Sequence, residues 1–413
     1  MGLLSIFAPL SDRQCRLLWL AHTTSAAGDS LMPLALPFAV LSVDASASAL
    51  GAVLAVFWVT RLACTLLGGV VADRLPRRRV MLVCDVIRAA VETFAATMLL
   101  THQITFWILL ATAGTFGAAS AFFGPAADGL VPQIVPGAKL QETNALLGVS
   151  RNTMNILGPA LSGALIALTT PGVVFMIDAV TFIFSACFLL QVRAPADARV
   201  KKIFFAVDMR AGLREVMSRA WVRAPLMGCA ILNLCLAAFM VLGPVIARKH
   251  LGGARDWGII LSCGAIGGIG GGLLAGHWCP RRPLTSAFMA SMLAGVPLLM
   301  LAPPLSTAAI AAAWGVAMAS LALSNTYWET SLQRGIPDSV YARVRSYDNL
   351  ASYAFMPIGL IAFPWIAIQV GTRMTLSVAG AVMVVTSLIV AVVPGVRAVT
   401  QEPPWRRAGN RAA

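Results

Sequence analysis

The chain has 413 residues, 58% of them hydrophobic and 12% charged, with a formal net charge of +14 and a mean hydropathy of +0.81. Soluble domains carry about 25% charged residues, so this chain cannot coat itself in polar groups and its solvent is largely lipid. A soluble enzyme, a nucleic-acid binder and a secreted domain are excluded, and the eight cysteines, without a CxxC pair, give no disulfide scaffold.

In chain order, the apolar runs predict an all-α membrane protein of twelve transmembrane helices. Their approximate bounds are 17–42, 49–72, 80–101, 106–127, 145–168, 173–192, 224–247, 257–277, 284–303, 308–329, 347–369 and 374–394. Each is close to the ~20 residues that cross a ~30 Å hydrocarbon core. Residues 283–328 contain no charge over 46 positions, room for two crossings with a turn at 302–307. The first span is too long and too polar, with Asp29 inside it, for a cleaved signal peptide. The longest connection divides the chain into an N-terminal six-helix bundle (1–192), a cytoplasmic linker (193–223), a C-terminal six-helix bundle (224–395) and a cytoplasmic tail (396–413). Within the linker, Met209, Leu213, Val216, Met217 and Ala220 share one helical face, the pattern of an amphipathic helix on the inner leaflet. With the N-terminus inside, 24 of the 31 Lys and Arg residues fall in cytoplasmic segments and four outside. The basic charge is therefore an orientation signal that places both termini in the cytoplasm.

The two halves echo each other. GGVVADRLPRRRV at 68–80 lines up with GGLLAGHWCPRRPL at 271–284, each at the inner end of the second helix of its half, as in transporters built from parallel repeats. The first of these strongly resembles the signature loop of the major facilitator superfamily, G-x-x-x-D-R-x-G-R-R, through Gly69, Asp73, Arg74, Arg77 and Arg78, with Pro76 in place of the second glycine. GDSLMPLALPFAV at 28, CDVIRA at 84, LVPQIV at 130, GPALSGAL at 158, FMIDAVTF at 175 and WETSLQRGIPDSVYARVRSYD at 328 are similar to the bacterial enterobactin exporter-like and multidrug efflux branch. The resemblance implies two pseudo-symmetric bundles around a central site, with helices 1, 4, 7 and 10 lining it. It also implies that the basic loop is an inner gate against the start of helix 11, where Arg343, Arg345 and Asp348 stand. A plain positive-inside anchor is the alternative for this loop.

Charges inside the membrane cost ~2.5–3.5 kcal/mol each on insertion scales and mark functional candidates. Asp29 and Arg61 lie at nearly the same depth in the first two spans. Two readings stand for Asp29: a proton-exchanging carboxylate facing the cavity, or a static pair with Arg61. His22, two turns before Asp29, is a candidate relay, and Glu92 a secondary coupling site. Asp85 and Arg88, one turn apart, are expected to pair locally, and Asp178 and Arg151 to orient packing. Gly158, Pro159 and Gly163 form a helix-packing motif of small residues and a helix-bending proline. Phe57, Trp58, Asn233, Trp314, Asn325 and Tyr327 are candidate cavity walls, suited to bulky amphiphilic or cationic compounds, whereas Trp107, Trp257 and Trp365 are expected in the outer aromatic belt.

These features predict a multi-pass transporter of a bacterial cytoplasmic membrane, monomeric by the fold it resembles. Its expected work is proton-coupled export of hydrophobic or amphiphilic small molecules such as drugs, siderophores or secondary metabolites. A facilitator or importer on the same fold is the alternative. No cofactor is expected: the GxxxxGK[ST] phosphate loop is missing, so a proton gradient rather than ATP is the expected drive. The partners are a small-molecule substrate and the bilayer.

Overall fold

The computed structural model describes residues 9–193, 214, 216–337, 340, 341, 344, 345, 347, 348 and 354–400; the side chains of residues 66–74 and 138 lie outside that description. Among the described residues there are helices and no strands. The first helices are α1 (Arg13–Asp29), α2 (Met32–Val43), α3 (Ala47–Arg74) and α4 (Arg77–Leu100). They are followed by α5 (Phe106–Ile134), α6 (Leu140–Leu168) and α7 (Pro171–Gln191). The second half contains α8 (Ala220–His250), α9 (Gly253–His277), α10 (Pro283–Ser291), α11 (Val296–Leu301), α12 (Thr307–Gly335), α13 (Met356–Val370), α14 (Thr372–Val392) and the short α15 (Pro394–Arg397). Nine helical stretches of the described residues are long and apolar enough to cross a membrane, and the chain is a multi-pass membrane protein. α4 and α6 are longer than this requires but carry charge, and α13 is shorter at 15 residues.

Local chemistry sets the helix ends. Asp12 caps α1 by accepting from the backbone N–H of Gln14 at 2.8 Å and of Cys15 at 3.0 Å. The bond from Cys15, aided by that from Gln14 and opposed by slight burial, holds the Asp12 carboxyl below its ordinary value. The first predicted span is not one helix: it breaks at Ser30–Leu31, where Pro33 opens α2. Proline fits the first turn of a helix because its missing N–H has no intrahelical partner there. The ninth span is broken in the same way, by a 3-10 turn at Met292–Gly295 followed by Pro297. α13 and α14 meet at Gly371, whose φ of 87° a side chain would resist.

Two compact units result, Met1–Lys202 with Ala247–Ser262, and Ile203–Ile246 with Cys263–Ala413. In the first, α3 packs along α5, α4 along both α7 and α5, and α1 along α7 and α6. In the second, α9 packs on α12 through Gly264, Gly267 and Gly271, while α10 packs along both α14 and α12. The corresponding spans of each half therefore pair in the same pattern, as the sequence echo implies. The amphipathic helix expected at 209–220 lies largely outside the described residues; of its face, Val216 is buried and Met217 exposed. Trp107 and Trp365 are exposed as an outer belt requires, but Trp257 is not: it is 1% exposed and belongs to the interior.

Candidate functional site

α4 carries Asp85, Arg88 and Glu92 at i, i+3 and i+7, one stripe on a helix. That stripe faces α7, and the contacts keep one antiparallel register. Asp85 Oδ2 accepts from Ser185 Oγ at 2.6 Å. Three residues on, the Arg88 guanidinium lies 4.2 Å from the Phe182 ring centre, three residues back along α7. Further along, Gly172 sits against Leu99 and Leu100. The rung between these, four residues on and four back, is Glu92 opposite Asp178.

Arg88 is wholly buried and is held from three sides. Its Nη1 donates to Asp29 Oδ1 at 3.1 Å and Oδ2 at 3.3 Å, and its Nη2 donates to Ser25 Oγ at 3.2 Å and to Asp85 Oδ1. Phe123 of α5 covers the guanidinium, with its ring centre 4.3 Å away; with Phe182 this makes an aromatic seat for the cation. Asp29 differs from the rest: its side chain is 42% exposed. It is the last residue of α1, beside the break, so one carboxylate connects an open surface with a buried charge.

α6 fixes that break. A Cβ on Gly158 would stand 2.1 Å from Ser30 Oγ, so only glycine lets α6 approach so closely. Ser162 donates to the Leu31 carbonyl at 3.1 Å, a further bond on an acceptor that already takes the N–H groups of Leu34 and Ala35 at the start of α2, and so ties α6 to the break. Pro159 and Gly163 continue the same face against the start of α9: Gly258 meets the Pro159 carbonyl, and Gly163 that of Ala254.

The static pair of Asp29 with Arg61 does not form. Arg61 is exposed and stands 5.8 and 5.6 Å from the ring centres of Phe57 and Trp58, its helical neighbours. Equal depth in two spans says nothing about which way each side chain points. His22 is buried 6.2 Å from the Phe123 ring, and its Nε2 has no hydrogen-bond partner among the described residues. Arg151 is exposed, while Asp178 is fully buried.

Among the described side chains of the expected gate, Arg77, Arg78 and Arg345 each form hydrogen bonds within their own unit. Arg77 donates to the Gly129 carbonyl near the end of α5, and Arg78 donates to the carbonyls of Leu189 at 2.7 Å and Leu190 at 2.6 Å at the end of α7. The Arg78 bonds satisfy carbonyls in the last turn of α7, as a cation at a helix C-terminus does. Gly69 lies within α3, and the side chains of Asp73 and Arg74 fall outside the description, as does Arg343. Arg345 binds Asp348 at 2.9 Å and Glu329 at 2.6 Å, and Trp328 Nε1 donates to Asp348 at 2.8 Å. Glu329 escaped the sequence reading because sixteen residues separate it from its partner.

The expected cavity walls divide between the two units. Phe57 and Trp58 are half-buried and edge-to-face. Trp314 is buried and stacked 3.9 Å from Phe239, and Tyr327 is buried and donates to the Trp278 carbonyl; both serve packing in their own unit. Asn233 donates to its own helix at Cys229, and Asn325 is exposed.

A family model described as transmembrane secretion effector, within the major facilitator superfamily, matches residues 4–404. The chain belongs to this family. Proteins similar to it include an uncharacterized MFS-type transporter, YfiS, of Bacillus subtilis, 27% identical with 89% of this chain and 90% of YfiS covered. The multidrug efflux pump Tap of Mycolicibacterium fortuitum is 23% identical over 92% of this chain and 96% of its own. Among solved structures, the nucleoside transporter NupG superposes with a TM-score of 0.72 at 15% identity, over 92% of this chain and 98% of NupG. The major facilitator fold is thus established, and this secretion-effector chain is a transporter rather than an enzyme.

Proposed function

We propose that the protein is a proton-coupled exporter of hydrophobic or amphiphilic small molecules, working by alternating access as a monomer in a bacterial cytoplasmic membrane, with both termini cytoplasmic. The observation that carries this reading is the Asp29–Arg88–Asp85 cluster. Arg88 holds two carboxylates, one buried and one half-exposed at a helix break. A proton taken up by Asp29 removes one of the two anions on Arg88 and leaves the guanidinium paired with Asp85 alone. The end of α1 then loses its charged tether to α4, while α4 and α7 keep theirs. A protonation event is thereby turned into a change in how one broken helix is held, as a switch between two conformations requires. The efflux function of Tap supports export, and the bias of basic residues supports cytoplasmic termini.

The test is accumulation of a lipophilic cationic dye in inverted membrane vesicles under an imposed inside-acid gradient, with the intact protein and with Asp29→Asn at matched expression. Uncoupler-sensitive accumulation is expected from the intact protein, with loss of at least about tenfold, near 1.4 kcal/mol of coupling, in the variant. Equal accumulation in both would make Asp29 a structural charge. None in either would remove the broad-substrate reading.

A further inference from the structure

One turn beyond Arg88, the α4–α7 contact holds two carboxyl groups with no cation of their own. Glu92 and Asp178 are both 0% exposed. Among the described residues, neither Glu92 oxygen has a hydrogen-bond partner, and neither does Asp178 Oδ2; Asp178 Oδ1 has Thr181 Oγ1 at 3.5 Å. Their juxtaposition follows from the register fixed on both sides, by Asp85–Ser185 and Arg88–Phe182 on one and by Leu99–Gly172 on the other. The charged groups facing the pair are Asp29 from α1 and Arg88 from α4, and Arg88 is already committed to Asp29 and Asp85; α5 contributes the apolar ring of Phe123 to this region. Two adjacent ionised carboxylates in such surroundings would have neither water nor a counter-ion. Among the described residues no group of three or more His, Cys, Asp or Glu is arranged to hold a metal.

We propose that Glu92 and Asp178 are a carboxyl pair that binds one proton between them, occluded in the α4–α7 contact behind Asp29. Buried partnerless oxygens on facing helices become donor and acceptor once a single proton is shared. Gly28, the residue before Asp29, lies directly against Asp178: a Cβ there would stand 2.1 Å from Asp178 Oδ1 and 2.2 Å from Thr181 Oγ1. The bare backbone of α1 thus brings the half-exposed Asp29 next to a pair that is wholly buried. For its role in transport the inference rests on the coupling reading above. In that role the O–H bond at Asp29 breaks as a second one forms on the pair, which passes from one shared proton to two, and Asp29 returns as a carboxylate to Arg88; the reverse transfer gives that second proton back. No other reactant is needed.

The presence of the proton is tested independently of transport, by infrared spectroscopy of the purified full-length protein at neutral pH. The intact protein should show a protonated-carboxyl C=O band that shifts only slowly in D2O. Glu92→Gln and Asp178→Asn should each remove or displace that band, and Asp29→Asn should leave it. Thermal melts identify any variant that fails to fold; the other variant and the slow deuterium shift then decide. No band, a band untouched by both substitutions, or a band altered by only one overturns the shared proton. If the band behaves as expected while dye accumulation fails, the coupling reading falls alone. If gradient-driven accumulation holds without the band, the pair falls alone.

Discussion

Arg88 is the residue on which the charge balance of the first unit turns, because its guanidinium touches Asp29, Asp85 and Ser25 while fully buried. Removing one partner of a buried pair leaves an uncompensated charge, which costs about 3–5 kcal/mol. Arg88→Met is therefore expected to lower the thermal unfolding midpoint in detergent sharply, and Asp85→Asn added to it should recover much of the loss. A small change in the single variant would mean that the pair is hydrated rather than buried. The sequence made each of these charges visible, since ionisable residues are rare inside apolar runs, and the i,i+3 spacing made the Asp85–Arg88 pair legible. It did not reveal that Arg88, rather than Arg61, holds Asp29. Residue counting measures depth along a helix, whereas partner choice depends on which helices pack together. Here α1 packs along α7, and α4 along α7 as well, which brings Asp29 to Arg88.

At the scale of elements, small residues decide how closely helices approach, and the effect is specific to one face. A Cβ on Gly267 of α9 would stand 1.9 Å from the Gly315 carbonyl of α12, whereas one on Gly268 would meet nothing within 4 Å. Gly267→Ala should destabilise by about 1–3 kcal/mol, the usual cost of overpacking, and Gly268→Ala should melt within error of the parent. Equal melting of the two variants would show that α9 and α12 are not seated so tightly. Six glycines between 264 and 272 make this helix glycine-rich, but spacing alone does not say which of them face the neighbour. The breaks in the first and ninth spans had signals too, in Pro33 and Pro297. An uninterrupted apolar run reads as one helix when charge alone is counted, and that concealed the α1–α2 junction on which Asp29 depends.

For the whole molecule, composition alone was enough to establish a membrane protein, because 12% charged residues cannot solvate 413. The motif at 68–80 carried the superfamily. The gate it implied was less legible, since Arg77 and Arg78 spend hydrogen bonds on the ends of α5 and α7 inside their own unit. The proposed orientation has a direct consequence. Cys279 is exposed in the turn between α9 and α10, beside Arg281 and Arg282, so a membrane-impermeant maleimide should label it in inverted vesicles and not in intact cells, with Cys279→Ser as the control. Labelling from the outer face would reverse the topology.

The most direct test of the central claim measures the proton itself. In inverted vesicles with an acid lumen and a luminal pH indicator, adding a lipophilic cation should raise the luminal pH as protons leave in exchange for substrate. Asp29→Asn should abolish that rise at equal protein content. Substrate uptake without any proton efflux, or an undiminished efflux in Asp29→Asn, would contradict coupling through the Asp29–Arg88 pair.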